Sequence, residues 1–320
     1  MSRVHGGPDA AGVPRWDFST NSNACGPCPM AWQAVSAADA TRYPDPQHTA
    51  LRAALARFHG VAAERIVPGT GSSELIARLT AWVARGGGRQ VWLPTPAYGD
   101  YAHAASQWRL ARVATPDAAD LAWCCVPSSP LGTAEPTPWA ALCQARVLAL
   151  DRAYEALRLD GVPPPPEHGN AAWQLWSPNK ALGLTGVRGA YAIAPTGATA
   201  AAAELNELAA SWPLGAHAVA LLLAWTTDEV QHWLTRSRAQ LRTWKAEQVA
   251  MLQSLGWDCH PSHTPYFCAR PPQPLDVEAL RQQGFKLRPT DNMGLAGHWR
   301  LNTLPPAAQA ALHHTLKAPP

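Results

Sequence analysis

Charge is scarce in this chain. Acidic and basic residues make up 15 % of 320 positions and nearly cancel, at +3. That leaves no electrostatic footprint for nucleic acid or for a membrane surface. Long apolar runs are missing as well, so no segment has the length that spans a bilayer. The opening "MSRVHGGPDAAGVPRWDF" lacks the apolar core of a secretory signal. Cysteine is limited to seven residues, an odd number at irregular spacing. This disfavours a disulfide framework and leads us to expect a cytoplasmic protein. What is abundant is apolar: 47 % hydrophobic residues, with 15 Trp and 31 Pro, as in a globular chain with structured loops. The length suits one large domain with an appendage, or two domains.

One short motif invites a redox reading. Ala24 to Pro29, "ACGPCP", contains a Cys-Gly-Pro-Cys run. Such a pair is reactive when it sits at a helix N-terminus behind a buried strand, where the dipole lowers the thiol pKa. Upstream here is the polar "RWDFSTNSN", so that setting is not expected. The plainer reading is a tight Gly-Pro turn flanked by two cysteines.

Further along, "TALRAALARFH" has apolar residues at helical spacing and stops at Gly60. Strand, Gly-rich turn and helix follow in "RIVPGTGSSELIARLTAWVARGGG", and the alternation continues through "RQVWLPTPAYGDYAHAASQW", "LAWCCVPSSPLG" and "ARVLALDRAYEAL". Buried strands separated by helices imply an α/β fold with a mixed, mostly parallel sheet covered on both faces. Ala198 to about Ser254 reads as mainly helical. The remainder mixes short strands ("YFCARP", "FKLRP", "HWRLNTL") with helices, as in a smaller α+β domain. The expected partition is an N-terminal arm contributing to the small domain (1–38), a large domain (39–215) and a small C-terminal domain (216–320).

In such sheets ligands bind at the C-terminal strand ends, where four features fall. "GTGSSE" puts Gly71, Ser72 and Ser73 at a helix start, where free N–H groups and the dipole favour a phosphate; plain strand-to-helix turns use the same residues. Asp151 follows the apolar run "VLAL", with Tyr154 three residues on; an N-cap aspartate is the ordinary alternative. Lys180 lies between apolar stretches, with Ser177 before it and Arg188 after. A surface lysine would look similar, but a desolvated one can form a Schiff base with a carbonyl. Pyridoxal 5'-phosphate accounts for all four: the phosphate needs the cradle with Ser177 and Arg188, the aldehyde needs Lys180, and the ring nitrogen needs Asp151.

On these residues the chain resembles the fold-type I pyridoxal phosphate enzymes of the class I/II aminotransferase family, over nearly its whole length. Ser177-x-x-Lys180 followed by "GLTGVR", with Asp151-x-x-Tyr154 upstream, is the most specific piece. The resemblance implies catalytic roles for Lys180, Asp151 and Tyr154. It implies that Tyr98 of "YGDY" stacks on the cofactor ring. It also implies that Tyr43 of "RYPDP" reaches the cofactor of a neighbouring subunit, hence a homodimer. Arg300 of "HWRLNTL" matches the arginine that grips the substrate carboxylate, and Arg288 of "FKLRPT" is expected at a substrate phosphate. The N-terminal "HGG" at His5, Gly6 and Gly7, then "DFSTNSN" with Asn23, is similar to the start of the L-threonine-O-3-phosphate decarboxylases of cobalamin biosynthesis. This implies a phosphorylated amino acid as substrate. Histidinol-phosphate aminotransferases share much of the pattern and stand as the alternative. Two departures, Ser129 where an asparagine is usual and Asn179 where a hydroxyl residue often precedes the lysine, leave a third reading: a cofactor-binding protein with little turnover.

Overall fold

A computed structural model describes residues 5–317. Its centre is a seven-stranded sheet in the spatial order Ile66–Gly69, Ala190–Ile193, Trp173–Trp176, Leu148–Asp151, Leu121–Cys125, Gln90–Trp92, Ala111–Arg112. Ala190–Ile193 runs antiparallel to both its neighbours, and all the other pairings are parallel. The central strands are buried along their whole length. Their sequences are therefore near-continuous apolar runs rather than alternating ones. Register places Cys125 opposite Asp151 and Asp151 opposite Leu175, which fixes where the strand ends meet.

Helix Thr49–His59 ends at Gly60, whose φ of 64° a side chain would resist. Helix Ser72–Arg85 turns an apolar face, Leu75, Ile76, Leu79 and Val83, onto the sheet beside Val67 and Val91. A second sheet, ordered Arg288–Pro289, Trp299–Asn302, Tyr266–Arg270, Asp258–Cys259, is antiparallel throughout. The N-terminal segment joins this part of the molecule: Trp16–Asp17 pairs parallel with Phe285–Lys286, and Phe18 is buried in the cluster that holds Phe267, Phe285 and Leu301. The 27-residue helix Asp228–Ser254 spans the two cores. Val230, Leu234 and Leu241 pack with Leu182, whereas Leu252 packs with Phe18.

Two expectations change in detail. "FKLRP" is two short strands, because Phe285–Lys286 pairs with the N-terminal segment while Arg288–Pro289 pairs with Trp299 and Arg300. The Cys-Gly-Pro-Cys run does stand at a helix start, since helix Pro29–Ser36 follows Cys28 directly. Among the described residues no helix is long and apolar enough to cross a membrane.

Candidate active site

The C-terminal ends of the parallel strands and the second sheet enclose a cavity of about 370 Å³. Lys180 enters it from a tight turn after strand Trp173–Trp176. Asn179 holds that turn by donating to the carbonyls of Thr185 (3.4 Å) and Val187 (3.3 Å). Its Oδ1 accepts from the Ser177 hydroxyl at 2.9 Å, and Ser177 Oγ in turn accepts from Lys180 Nζ at 3.2 Å. Asn179 thus takes the Ser177 proton and turns the hydroxyl's lone pairs toward the amine. Burial lowers the pKa of Lys180 to about 8, against the opposing pull of Asp151.

Asp151 ends its strand buried. One carboxylate oxygen accepts the Ala153 N–H (2.9 Å) and the other the Tyr101 hydroxyl (2.8 Å). Tyr101 is itself fixed by stacking on Trp123, with ring centroids 4.8 Å apart and planes 11° apart. Burial raises the Asp151 pKa, so the carboxylate is poised to share a proton with a nitrogen base facing it. Lys180 Nζ lies 5.6 Å from the centre of the Tyr154 ring.

At the start of helix Ser72–Arg85 the geometry suits an anion. A Cβ at Gly71 would come within 2.3 Å of Arg188 Nη2, so only glycine lets the guanidinium close over this turn. Ser72 Oγ is buried with no hydrogen-bond partner, and Ser73 Oγ lies 3.4 Å from the Tyr98 hydroxyl. Glu74, the nearest carboxylate in the helix, is neutralised by Arg78 at 2.7 Å.

The opposite end belongs to two arginines. Arg288 and Arg300 face each other across paired strands, and both are buried. Arg300 donates to Ser129 Oγ and to the Ser19 carbonyl, each at 3.3 Å, while its buried Nε has no partner. Arg288 donates to the Pro289 carbonyl (2.9 Å) and Asn292 Oδ1 (3.2 Å). Burial and the proximity of Arg300 lower its pKa to about 10. Like charges opposed in a buried strand pair are costly, and an anion between them removes that cost.

These observations fit pyridoxal phosphate. A buried, unpartnered serine hydroxyl sits with an arginine at a helix N-terminus, an amine of lowered pKa lies deeper, and a buried carboxylate is braced from behind. Residues 15–315 match the model of the aminotransferase class I and II family. The chain belongs to that family. It is therefore an enzyme of pyridoxal phosphate chemistry, on a fold-type I scaffold. Among curated relatives it is 30 % identical to the histidinol-phosphate aminotransferase of Symbiobacterium thermophilum, over 94 % of this chain and 89 % of that one. Among solved structures it is similar to histidinol-phosphate aminotransferase from Sinorhizobium meliloti, in complex with pyridoxal-5'-phosphate. The TM-score there is 0.82 at 22 % identity, covering 98 % of this chain and 94 % of that one. It is also similar to L-threonine-O-3-phosphate decarboxylase from Porphyromonas gingivalis, with TM-score 0.72 at 20 % identity, over 94 % and 98 % of the two chains. At such identities the two solved structures speak for the fold.

In this aminotransferase-family chain the cavity lining brings together His5, Gly6, Ser72, Ser73, Tyr98, Ser129, Asp151, Tyr154, Lys180, Arg188, Arg288 and Arg300. Ser177 touches it through Lys180, and Gly71 stands behind Arg188. One expected position differs. Asn23 does not line the cavity: its amide is spent on the Ala181 carbonyl (2.9 Å) and the Cys25 N–H (3.0 Å), so it supports the lysine turn. Asn21, two residues earlier, lines it instead and is buried near Tyr154, whose hydroxyl pKa is raised by burial. Neither of its amide atoms makes a full hydrogen bond. Within "STNSN" the chain bends, Ser22 N bonding back to the Thr20 carbonyl at 2.9 Å, and long-range packing separates Asn21 from Asn23. Ser129 lines the cavity and also accepts from Arg300. Tyr43 lies outside the cavity, 78 % exposed and stacked on Trp212 at 4.5 Å. Tyr101 and Thr185, both on the lining, were not expected there; the "YGDY" motif contains two tyrosines, and only the fold shows which one braces Asp151.

All seven cysteines are free thiols. Although Cys28 caps a helix, burial raises its pKa, and burial pushes Cys25 up to about 11. The run serves packing: the Lys180 carbonyl accepts from Asn23 N and the Leu182 carbonyl from Cys28 N, each at 2.9 Å. A Cβ on Gly26 would lie 3.0 Å from Gly183 Cα. The Gly-Pro turn is pressed against the turn that carries the lysine.

Proposed function

We propose that this chain is a pyridoxal phosphate enzyme acting on a small phosphorylated amine or amino acid; the N-terminal motif favours O-phospho-L-threonine decarboxylation, whereas the relatives favour histidinol-phosphate transamination. The observation that carries the reading is the facing pair Arg288 and Arg300 at the end of the cavity, joined there by His5, Gly6 and Asn21 from the N-terminal motif. Bound pyridoxal phosphate supplies an aldehyde for capture of an amine and a protonated ring that draws electrons away from Cα.

The protein's groups divide the remaining work. Gly71, Ser72, Ser73 and Arg188 hold the cofactor phosphate, and Ser177 holds the Lys180 amine in place for attachment. Asp151, braced by Tyr101 and the Ala153 N–H, keeps the proton on the ring nitrogen. Tyr98 would stack on the ring, and Tyr154 would bond the ring oxygen. The resemblance puts Arg300 at the substrate carboxylate. Because it faces Arg288 across one strand pair, this reading puts both on the phosphate dianion through charge-assisted bonds, with Asn21 and His5 beside it. With both guanidiniums on the phosphate, neither would pin the substrate carboxylate, and substrate orientation is what selects the bond that breaks. Lys180 then returns a proton to Cα after carbon dioxide has left.

The sequence relatives support a second reading, histidinol-phosphate transamination. There the same arginines take the phosphate of one substrate and a carboxylate of the 2-oxoacid, and Lys180 removes the Cα proton. We infer further that the enzyme works as a homodimer, with Tyr43 offered to the neighbouring subunit. Its exposure and its stacking on Trp212 support that reading.

Purified protein with pyridoxal phosphate and O-phospho-L-threonine should release carbon dioxide and aminopropanol phosphate. Glutamate formed or consumed with histidinol phosphate and 2-oxoglutarate, without carbon dioxide, moves the assignment to the second reading. Cofactor binding with neither reaction moves it to a protein of little turnover.

A further inference from the structure

The N-terminal arm reaches the cavity by a route that the conserved chemistry of the cofactor does not require. His5 and Gly6 line the cavity, yet the arm that carries them has little packing of its own: residues 8–13 are almost all exposed. Charge holds it. The Asp9 carboxylate is bridged by Arg281 Nη2 at 2.8 Å and by Lys286 Nζ at 2.7 Å. The same two cations hold the arm's backbone, Lys286 donating to the Gly7 carbonyl (2.5 Å) and Arg281 to the Gly12 carbonyl (2.8 Å). These paired bonds place the Asp9 pKa well below the usual carboxylate range.

A second fastening lies further along. Asp17 Oδ1 accepts from Ser19 N (2.9 Å), Ser19 Oγ (2.5 Å) and Thr20 N (3.2 Å), and its Oδ2 accepts from Thr20 Oγ1 (2.6 Å). With its proton given to Asp17, Ser19 Oγ is left as an acceptor, and Gly7 N donates to it at 2.9 Å. Gly6 packs so tightly against the Ser19 carbonyl that a Cβ would lie 2.2 Å from it. That same carbonyl accepts from Arg300. The two carboxylates therefore lock His5 and Gly6, the Ser19–Asn21 segment and Arg300 into one unit.

We propose that residues 5–21 form a substrate strap, with Asp9 and Asp17 as positioning residues that set the arginine end of the cavity without touching the cofactor. The proposal rests on the functional reading above, and it adds the device that holds that end together. Asp9→Asn keeps the shape and removes the charge that Arg281 and Lys286 share. Because the Asp9 bridges are half-exposed and ionic, added salt should imitate that variant.

The test compares wild type, Asp9→Asn, Asp9→Glu and Asp17→Asn as holoenzymes. We expect Asp9→Asn to raise KM for the phosphorylated substrate about tenfold, the size of a lost charge-assisted bond, with kcat changed much less and cofactor affinity unchanged. Asp9→Glu should restore part of the loss, and 0.5 M salt, taken as roughly five times the 0.1 M reference of ordinary screening, should raise the wild-type KM toward that of Asp9→Asn. Amide exchange in a peptide covering residues 5–21 should quicken in Asp9→Asn and Asp17→Asn. It should stay unchanged around Lys180. Unchanged exchange overturns the strap. Faster exchange with an unmoved KM overturns its positioning role. Loss of cofactor affinity in Asp9→Asn makes the effect a general structural one and also overturns the proposal. Wild type that turns over neither phosphorylated substrate sinks the functional reading, and the exchange measurement, which needs no substrate, then reports on the fastening alone.

Discussion

At the lysine end of the cavity nearly every group comes from the end of one buried sheet, within a few residues of a strand: Asp151 after Leu148–Asp151, Ser177 and Lys180 after Trp173–Trp176, Ser72 at the helix following Ile66–Gly69. At the arginine end the groups come from opposite extremes of the chain. His5, Gly6 and Asn21 meet Arg288 and Arg300 only because Trp16–Asp17 pairs with Phe285–Lys286 and Asn302 N donates to the Phe18 carbonyl at 2.8 Å. The first end is braced by dry packing and short turns, the second by charges and backbone carbonyls. Sheet-end construction suits a cofactor that never changes. Assembly from distant loops suits a substrate that differs among relatives sharing this fold.

The largest effect should come from the lysine end. Lys180→Ala should abolish borohydride-trappable cofactor and lower turnover by about 10³-fold or more; trapping that persists on another lysine would refute the assignment. The same amine gives a pH test. A pKa of about 8 means that the free amine grows roughly tenfold per pH unit below 8 and then levels off. The rate at which apoenzyme captures the aldehyde should follow that curve. A rate already flat between pH 6 and 8 would show an amine with a lower pKa than its burial implies.

That same contrast in construction decides what could be read from residues alone. Asp151, Ser177, Lys180 and Arg188 follow one another within 38 residues, in fixed order around predictable strands, so a pattern of residue types locates them. The helix Thr49–His59, with its Gly60 stop, was legible for the same local reason. Asn21 and Asn23 were not distinguishable, because what turns Asn23 away from the cavity is its bond to the Ala181 carbonyl, more than 150 residues away. That Arg300 reaches Ser129 was not legible either, because nothing local announces a bond across 171 positions. "FKLRP" looked like one strand because its division depends on two different partners.

Acid should separate the two regions next. Behind the lysine strand, His59 packs on Trp176 at 4.8 Å, and its Nε2 lies 2.7 Å from the Tyr191 hydroxyl. That hydroxyl oxygen also accepts from Trp225 Nε1 at 3.1 Å, and with the imidazole neutral and protonated at Nδ1 it donates to His59 Nε2. Burial, with Arg152 nearby, lowers the His59 pKa from 6.5 to about 4. Between those values the unfolded chain binds the extra proton, so stability falls as pH drops from 6.5 to 4, by up to about 3 kcal/mol for this group. Denaturant unfolding at pH 7, 5 and 4 should show the slope, and His59→Gln, which keeps an acceptor for Tyr191, should flatten it. An unchanged slope would place the acid sensitivity elsewhere.

Arg300→Lys probes the arginine end directly. A lysine keeps the charge but cannot bond Ser129, the Ser19 carbonyl and a substrate anion from one planar fork. KM for the phosphorylated substrate should rise about 10- to 100-fold, the cost of one or two charge-assisted bonds, while cofactor absorbance stays unaltered. Loss of the cofactor in this variant would show that the two ends are not separable, and the contrast drawn above would fail.

The smallest effect should come from the residues that most resemble chemistry. Cys25 and Cys28 flank the turn that supports the lysine end, and both thiols are driven up in pKa by burial, away from the thiolate that redox exchange requires. Exchanging both for Ser should leave kcat within about twofold and cost about 1 kcal/mol of stability, for a hydroxyl placed where a buried, weakly polar thiol had been. The backbone bonds from Asn23 and Cys28 to the lysine turn are kept in that variant, so attachment at Lys180 should be untouched. If turnover collapses while the cofactor stays bound, the sulfur atoms themselves are required, and the turn is more than the support on which the lysine rests.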